Sequence, residues 1–266
     1  MARIIAVANQ KGGVGKTTTS VNLAACLAAA EKRTLLVDLD PQANATSGFG
    51  LDRKAQRPTV YELLIGDIPL ERVVLRNVLP LLDIVPSGMS LTGAQVELLQ
   101  LEHREQRLKR ALAPSLAPVI ASDERIYDVV LIDCPPSLGL LTVNALVAAK
   151  SVLIPLQCEY YALEGIEQLI DTLKLVRTAF NPRLDIEGIV LTMFDSRTNL
   201  SHQVEAEVRN FFGHKVYQTV IPRNVRLSEA PSFGKPIVFY DISCAGAVAY
   251  INLAKEVING GEESSR

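Results

Sequence analysis

The chain has 266 residues, 48% of them hydrophobic and 21% charged, which is enough to bury a large core within one α/β domain. Its 27 Lys and Arg stand against 29 Asp and Glu, a formal charge of −2, so any nucleic-acid binding must rest on a local patch and not on the charge of the whole molecule. No apolar run approaches the roughly 20 residues of a membrane span, no basic segment leads an apolar signal region, and Cys26, Cys134, Cys158 and Cys244 are too scattered for a zinc site or a disulfide framework, so the chain reads as cytosolic.

The first elements are a strand, a glycine loop and a helix. Ile4-Ile5-Ala6-Val7-Ala8 is a buried-strand run, and Val21-Asn22-Leu23-Ala24-Ala25-Cys26-Leu27 suits a packed helix. Between them lies Asn9-Gln10-Lys11-Gly12-Gly13-Val14-Gly15-Lys16-Thr17-Thr18-Thr19. Glycines let the backbone approach an anion, and the N–H groups at a helix N-terminus point at it, so this loop suits a polyphosphate. Lys16 would reach the β/γ-phosphates and the Thr17 hydroxyl would ligate Mg²⁺. The usual phosphate-loop pattern asks for glycine at position 10, where this chain has Gln10, and a second lysine, Lys11, opens the loop.

Thr34-Leu35-Leu36-Val37-Asp38 is a second buried strand, followed by Leu39-Asp40-Pro41-Gln42. Asp38 and Asp40 fall at its C-terminal end, where open α/β sheets place their chemistry. Between residues 51 and 81 short helices are expected over Val60–Leu64 and Leu70–Leu75, then a strand over Leu82–Pro86. Leucines 91, 98, 101, 108 and 112 predict one long amphipathic helix from Leu91 to Leu112, its basic run His103–Arg110 broken by Glu105 and read as a solvated face. Asp128–Asp133 is an apolar strand ending in aspartate, the Walker B pattern, and Asp133 can hold a water on Mg²⁺ opposite Thr17. Cys134-Pro135-Pro136-Ser137 follows as a stiff segment able to sense hydrolysis. Helices over Leu140–Ala149, Ala162–Phe180, Asn199–Phe212 and Ala245–Ile258 alternate with strands over Ser151–Pro155, Glu187–Thr192 and Val216–Ile221. The alternation predicts a doubly wound, mostly parallel α/β sheet of about seven strands with helices on both faces, a P-loop NTPase architecture in one domain over 1–266, with a flexible tail from about 259.

Lys11-Gly12-Gly13-Val14-Gly15-Lys16-Thr17 resembles the deviant Walker A loop of the ParA/MinD class of P-loop ATPases. With Asp38–Gln42, Asp133–Ser137, Cys158–Gly165 and Val220–Ser232, the chain is similar to the ParA/Soj chromosome-partitioning branch of that class from about Arg3 to Val257. The resemblance implies that Lys11, Gly12, Gly13, Val14, Gly15, Lys16, Thr17 and Thr18 hold the ATP phosphates, with Lys11 reaching across a nucleotide-sandwich homodimer to the partner's phosphates. It implies Thr17 as the Mg²⁺ ligand, Asp40 as the group that positions the attacking water, Asp133 as support for the metal shell, and Pro222 with Asn224 as the adenine contacts. It further implies that Arg197 and Arg226 bind double-stranded DNA without sequence preference in the ATP dimer. A ParB/Spo0J-type centromere-binding partner would stimulate hydrolysis and release the protein from the nucleoid.

Three other readings share parts of this pattern. A MinD-like membrane-positioning ATPase ends in a basic amphipathic helix, whereas this chain ends in Glu262-Glu263-Ser264-Ser265, which an anionic bilayer repels. An iron–sulfur carrier of the same class needs a cysteine pair, and Cys134 is single. A small-molecule kinase needs an acceptor pocket that nothing in the sequence suggests. The first strand begins at Arg3, which leaves no room for an N-terminal helix-turn-helix, so operator-specific DNA recognition is not expected.

Overall fold

The strands owe their continuous apolar runs to burial on both faces. The structure, a computed structural model, describes residues 2–55, 57–113, 127–159 and 162–263. In chain order these form β1 (Arg3–Val7), α1 (Lys16–Ala29), β2 (Thr34–Asp38), α2 (Asn44–Gly48), α3 (Val60–Leu64), α4 (Leu70–Val73), β3 (Leu75–Leu79), β4 (Leu82–Val85), α5 (Leu91–Leu98), α6 (Arg107–Leu112) and β5 (Val129–Asp133). They continue with α7 (Leu140–Ala148), β6 (Ser151–Gln157), α8 (Ala162–Ala179), β7 (Asp185–Phe194), α9 (Asn199–Phe212), β8 (Val216–Pro222), α10 (Val225–Glu229), α11 (Ile237–Tyr240) and α12 (Ala245–Glu263). The sheet has eight strands in the order β3-β4-β2-β5-β1-β6-β7-β8, with β3 antiparallel to β4 and every other pair parallel.

Side chains alternate across this sheet. Ile4 and Ala6 of β1, Leu35 and Val37 of β2, and Val130 and Ile132 of β5 enter one core with α3, α5, α6, α7 and α8. Their neighbours Ile5, Val7, Leu36 and Leu131 enter the other core with α1 and α12. Neither core has a polar face to spare, so the runs over these central strands stay apolar.

The structure corrects three expectations. The helix expected over Leu70–Leu75 stops at Val73, and Leu75–Leu79 adds an antiparallel edge strand, the eighth. Arg76 and Asn77 stay exposed there, as an edge that borders solvent allows. The long helix expected over Leu91–Leu112 breaks between α5 and α6, where His103 takes a left-handed φ of 53° and a short 3₁₀ turn covers Arg104–Gln106. The break is capped from α7: Asn144 Nδ2 donates to Arg104 O at 2.7 Å, and Asn144 Oδ1 accepts from Leu108 N at 3.1 Å. It keeps Leu98, Leu108 and Leu112 buried along a path that a straight helix would leave. Part of the basic run is also not solvated. Arg107 donates through Nε to Leu64 O at 2.8 Å and pairs with Asp67, so it fastens α6 to the end of α3.

Parallel pairing then gathers the chemistry at one edge. Val7 of β1 lies beside Asp133 of β5, and Asp38 of β2 lies on the other side of Asp133. The glycine loop and both acidic strand ends therefore meet at the C-terminal ends of the three central strands, where open α/β sheets bind ligands.

Candidate functional site

The glycine loop takes backbone conformations that only glycine adopts without strain. Gly13 has φ 77° and Gly15, at the N-terminus of α1, has φ 87°. The loop is tied to β6 and β7, the two strands that follow β1 on one side of the sheet. Asn9 Nδ2 donates to Pro155 O of β6 at 2.8 Å, while Asn9 Oδ1 accepts from Lys11 N at 3.0 Å. Thr192 of β7 donates through Oγ1 to Val14 O at 2.9 Å. Lys16 Nζ donates to Lys11 O at 2.9 Å, which uses one of three ammonium donors and leaves two for phosphate oxygens. Burial lowers the Lys16 pKa from its usual value, and Asp133, Cys134 and Asp40 act against that fall.

Asp133 is the hub of the acidic side. It is fully buried and accepts from Thr17 Oγ1 and from Ser20 Oγ, each at 2.8 Å. Burial, and then repulsion from neighbouring Asp38, push its carboxyl up to about 8. Asp38 is also fully buried, and burial raises it to about 6 against the hydrogen bonds from Thr46 N and Thr46 Oγ1, both at 2.7 Å. Asp38 also accepts from Asp40 N at 3.2 Å, and Asp40 Oδ1 accepts from Gln42 N at 2.9 Å. The Asp40 carboxylate is thereby set by its own loop, with that loop anchored on Asp38.

These donors fit a magnesium ion. Thr17 spends its hydroxyl hydrogen on Asp133, which directs the oxygen lone pairs away from the carboxylate, and the surrounding groups are the hard oxygen donors that Mg²⁺ selects. Mg²⁺ needs few protein ligands when phosphates and waters complete its shell, so Thr17, with Asp40 and Asp133 acting through water, is a sufficient set.

The family model for an AAA domain matches residues 2–186. The chain is 55% identical over 261 residues to the sporulation initiation inhibitor protein Soj of Bacillus subtilis, covering 98% of this chain and 100% of that protein. It is 55% identical over 258 residues to the chromosome partitioning protein ParA of Myxococcus xanthus, covering 97% of this chain and 88% of that one. The chain belongs to the ParA/Soj family of chromosome-partitioning ATPases. Among solved structures it is similar to a cobyrinic acid a,c-diamide synthase from Mycobacterium smegmatis with bound ATP analog and magnesium, at 37% identity and a TM-score of 0.83, covering 100% of this chain and 98% of that one.

Lys11, Gly12, Gly13, Val14, Gly15, Lys16, Thr17, Asp40 and Asp133 all meet in this one region of the molecule. Thr18 lies in the first turn of α1, where its carbonyl accepts from Asn22 Nδ2 at 2.8 Å. Pro222 ends β8, and Asn224 caps α10 by accepting from Arg226 N at 2.9 Å. Arg197 and Arg226 are exposed, but each is paired locally. Arg197 holds Asp195 at 2.8 Å, and Arg226 holds Glu229 at 2.9 Å and Asp241 at 3.6 Å. Tyr160 and Tyr161 of the Cys158–Gly165 segment lie outside the described residues. Cys134 is fully buried, and burial together with Asp133 raises its thiol well above the usual range, so it stays protonated and is a poor metal ligand. None of the described helices is long and apolar enough to cross a membrane.

Sequence reasoning quoted Asn9 and Glu159 within their segments but gave neither a role, and it did not reach Ser20 or Thr192. Thr192 had one usable signal, a hydroxyl residue near the C-terminal end of a parallel strand. Glu159 falls in the Cys158–Gly165 segment, but its pairing with Lys11, 148 residues away, was not legible there.

Proposed function

We propose that the chain is an ATP-driven DNA-partition switch working in the cytoplasm on the nucleoid. Two ATP-bound copies form a sandwich dimer, Lys11 of each reaches the other's phosphates, and the dimer holds double-stranded DNA without sequence preference through Arg197 and Arg226. A ParB/Spo0J-type partner stimulates hydrolysis and releases it. The observation that carries the reading is the state of the two loop lysines. Lys16 is buried with its ammonium preset on Lys11 O, whereas the Lys11 side chain is 40% exposed at the mouth of the loop, its ammonium on the exposed carboxylate of Glu159 and open to exchange with a second molecule.

The chemistry asks little of the protein beyond placement and charge. Lys16 and the backbone N–H groups of Gly13 to Thr17 bind the β- and γ-phosphates, and Pro222 with Asn224 borders the adenine. Thr17 would hold Mg²⁺, which would supply neutralising charge on the phosphates. Asp40, fixed by Gln42 N, orients the attacking water, and Lys11 of the partner copy meets the charge that grows on the transferred group. Hydrolysis that waits for this second lysine is slow in the lone chain, which suits a switch.

The 55% identical relative from Myxococcus xanthus is a chromosome partitioning protein by name, which favours this reading over the membrane-positioning alternative. The test is binding of a non-specific duplex by the Asp40→Ala variant with no nucleotide, with ADP and with ATP, across a salt titration. Binding only with ATP, falling steeply with salt and weakened by Arg226→Ala without loss of ATP binding, is expected. Absence of binding in every nucleotide state would refute the reading.

A further inference from the structure

Lys11 is held by its own chain at three points. Its N–H donates to Asn9 Oδ1 at 3.0 Å, its carbonyl accepts from Lys16 Nζ at 2.9 Å, and its ammonium pairs with the carboxylate of Glu159, just beyond β6. The first two contacts fix the backbone of Lys11. Glu159 is fixed as well, since its N–H donates to Gln157 O at 2.9 Å and the preceding Cys158 N donates to Thr192 O at 3.3 Å. Only the two side chains are left to move, and both are open to solvent, at 40% and 45% exposure.

From this geometry we infer that Glu159 is a positioning residue for Lys11: it parks the ammonium over its own loop in the lone chain and must give it up before Lys11 can reach a second copy. The inference rests on the sandwich-dimer reading above and adds a counter-ion that opposes it. A phosphate bearing several negative charges outcompetes one carboxylate for the ammonium, so the exchange runs forward only when a partner presents ATP. ADP, lacking the γ-phosphate, offers less and leaves the pair closed. Glu159 thus makes dimer formation depend on which nucleotide the partner holds, beyond what the phosphate loop alone would give.

The size of the effect follows from exposure. A solvent-exposed pair of this kind shifts an equilibrium by about two- to fivefold, and two pairs open per dimer, so removing Glu159 should tighten the dimer by about 4- to 25-fold. The experiment is sedimentation equilibrium with Mg-ATP, comparing Asp40→Ala with Asp40→Ala/Glu159→Gln and Asp40→Ala/Glu159→Asp. It is paired with mass-spectrometric measurement of Lys11 acetylation by an N-hydroxysuccinimide ester in nucleotide-free wild type, Glu159→Gln and Glu159→Asp. The expected result is a tighter dimer and faster Lys11 acetylation with Gln, and parental behaviour with Asp. A Gln variant that dimerises equally or more weakly overturns the inference, as does unchanged Lys11 acetylation. A parent that stays monomeric at every ATP concentration, with acetylation still faster in the Gln variant, sinks the dimer reading and the opposing role with it while leaving the Lys11–Glu159 contact itself established.

Discussion

Replacing Thr192 with valine removes one hydrogen bond and almost nothing else. The side chain is 2% exposed, valine matches its volume, and the backbone bond from Cys158 N to Thr192 O is untouched. What disappears is the 2.9 Å donation from Thr192 Oγ1 to Val14 O, a carbonyl of the glycine loop in a residue that is itself 1% exposed. Losing a buried hydrogen bond and leaving its acceptor unpaired costs about 1–3 kcal/mol, which lowers the melting temperature by about 2–4 °C per kcal/mol in a chain of this size. The functional consequence is separate. With the tie gone, the loop between Gly13 and Gly15 relaxes, and nucleotide binding must restore it. If about 1.4 kcal/mol of the loss is recovered that way, ATP affinity falls about tenfold. Thermal unfolding and nucleotide titration calorimetry on wild type, Thr192→Val and Thr192→Ser read both effects, and serine is expected to restore affinity. A valine variant destabilised as expected yet binding ATP within twofold of wild type would show that the contact serves the fold alone and that β7 does not set the loop.

Two further predictions address the acidic hub and the packing behind the site. Burial raises the folded-state carboxyls of Asp133 and Asp38 above the ordinary 3.8, to about 8 and about 6, so the folded protein holds protons that the unfolded chain releases. Folded pKa values above the unfolded ones mean that the stability linked to these groups is fully present below about pH 4 and is lost as pH rises towards 8, the slope being about 1.4 kcal/mol per pH unit for each proton retained. Asp133→Asn keeps the shape, and the Thr17 and Ser20 hydroxyls can turn to meet an amide. Urea denaturation of the nucleotide-free protein between pH 5 and 8 should therefore show a flatter profile for the variant and greater stability at pH 8, and an unchanged slope would mean that Asp133 is ionised in the fold. At Gly234, φ is 61° and a Cβ would stand 2.8 Å from Gly50 N and closer still to its Cα, so backbone has to move. Gly234→Ala should cost about 2–5 kcal/mol by combining left-handed strain with overpacking, and a loss below about 1 kcal/mol in denaturant unfolding would contradict that close approach.

The phosphate loop was legible because all of its parts are contiguous, with a strand before it, glycines where φ is positive, and a helix after it. Asp40 and Asp133 were legible because each ends an apolar run, and parallel strands carry their chemistry at that end. The adjacency of Asp38 and Asp133 was not, because it depends on β5 inserting between β2 and β1, a matter of strand order that the chain order does not state. The same holds for Thr192 and Val14, 178 residues apart. The missed strand Leu75–Leu79 borders solvent and lacks the doubly buried run that betrayed the others. The break at His103 hid inside a leucine spacing that both a straight and a bent helix satisfy, and only Asn144, from another helix, decides between them.

Between Arg183 and Lys235 seven Lys and Arg stand against six Asp and Glu, so the composition around the two arginines proposed for DNA shows no patch. Arg197 stands beside Asp195 of its own turn, and Arg226 beside Glu229 of its own helix α10 and Asp241 just past α11, so charge counting cancels them. Cancellation in the count is not cancellation in binding. Both side chains are well exposed, at 86% and 53%, and exposed pairs are weak and screened by salt, so a phosphate can displace the carboxylate at little cost. Counterion release from the duplex then supplies a driving force that a carboxylate cannot match. A single copy would offer two such exchanges and the proposed dimer four, so the salt slope would steepen with dimer formation while the charge of the chain stays at −2. Nucleotide control of the proposed DNA binding would therefore not require ATP to create a basic surface. It would require only that two weak surfaces be brought onto one duplex.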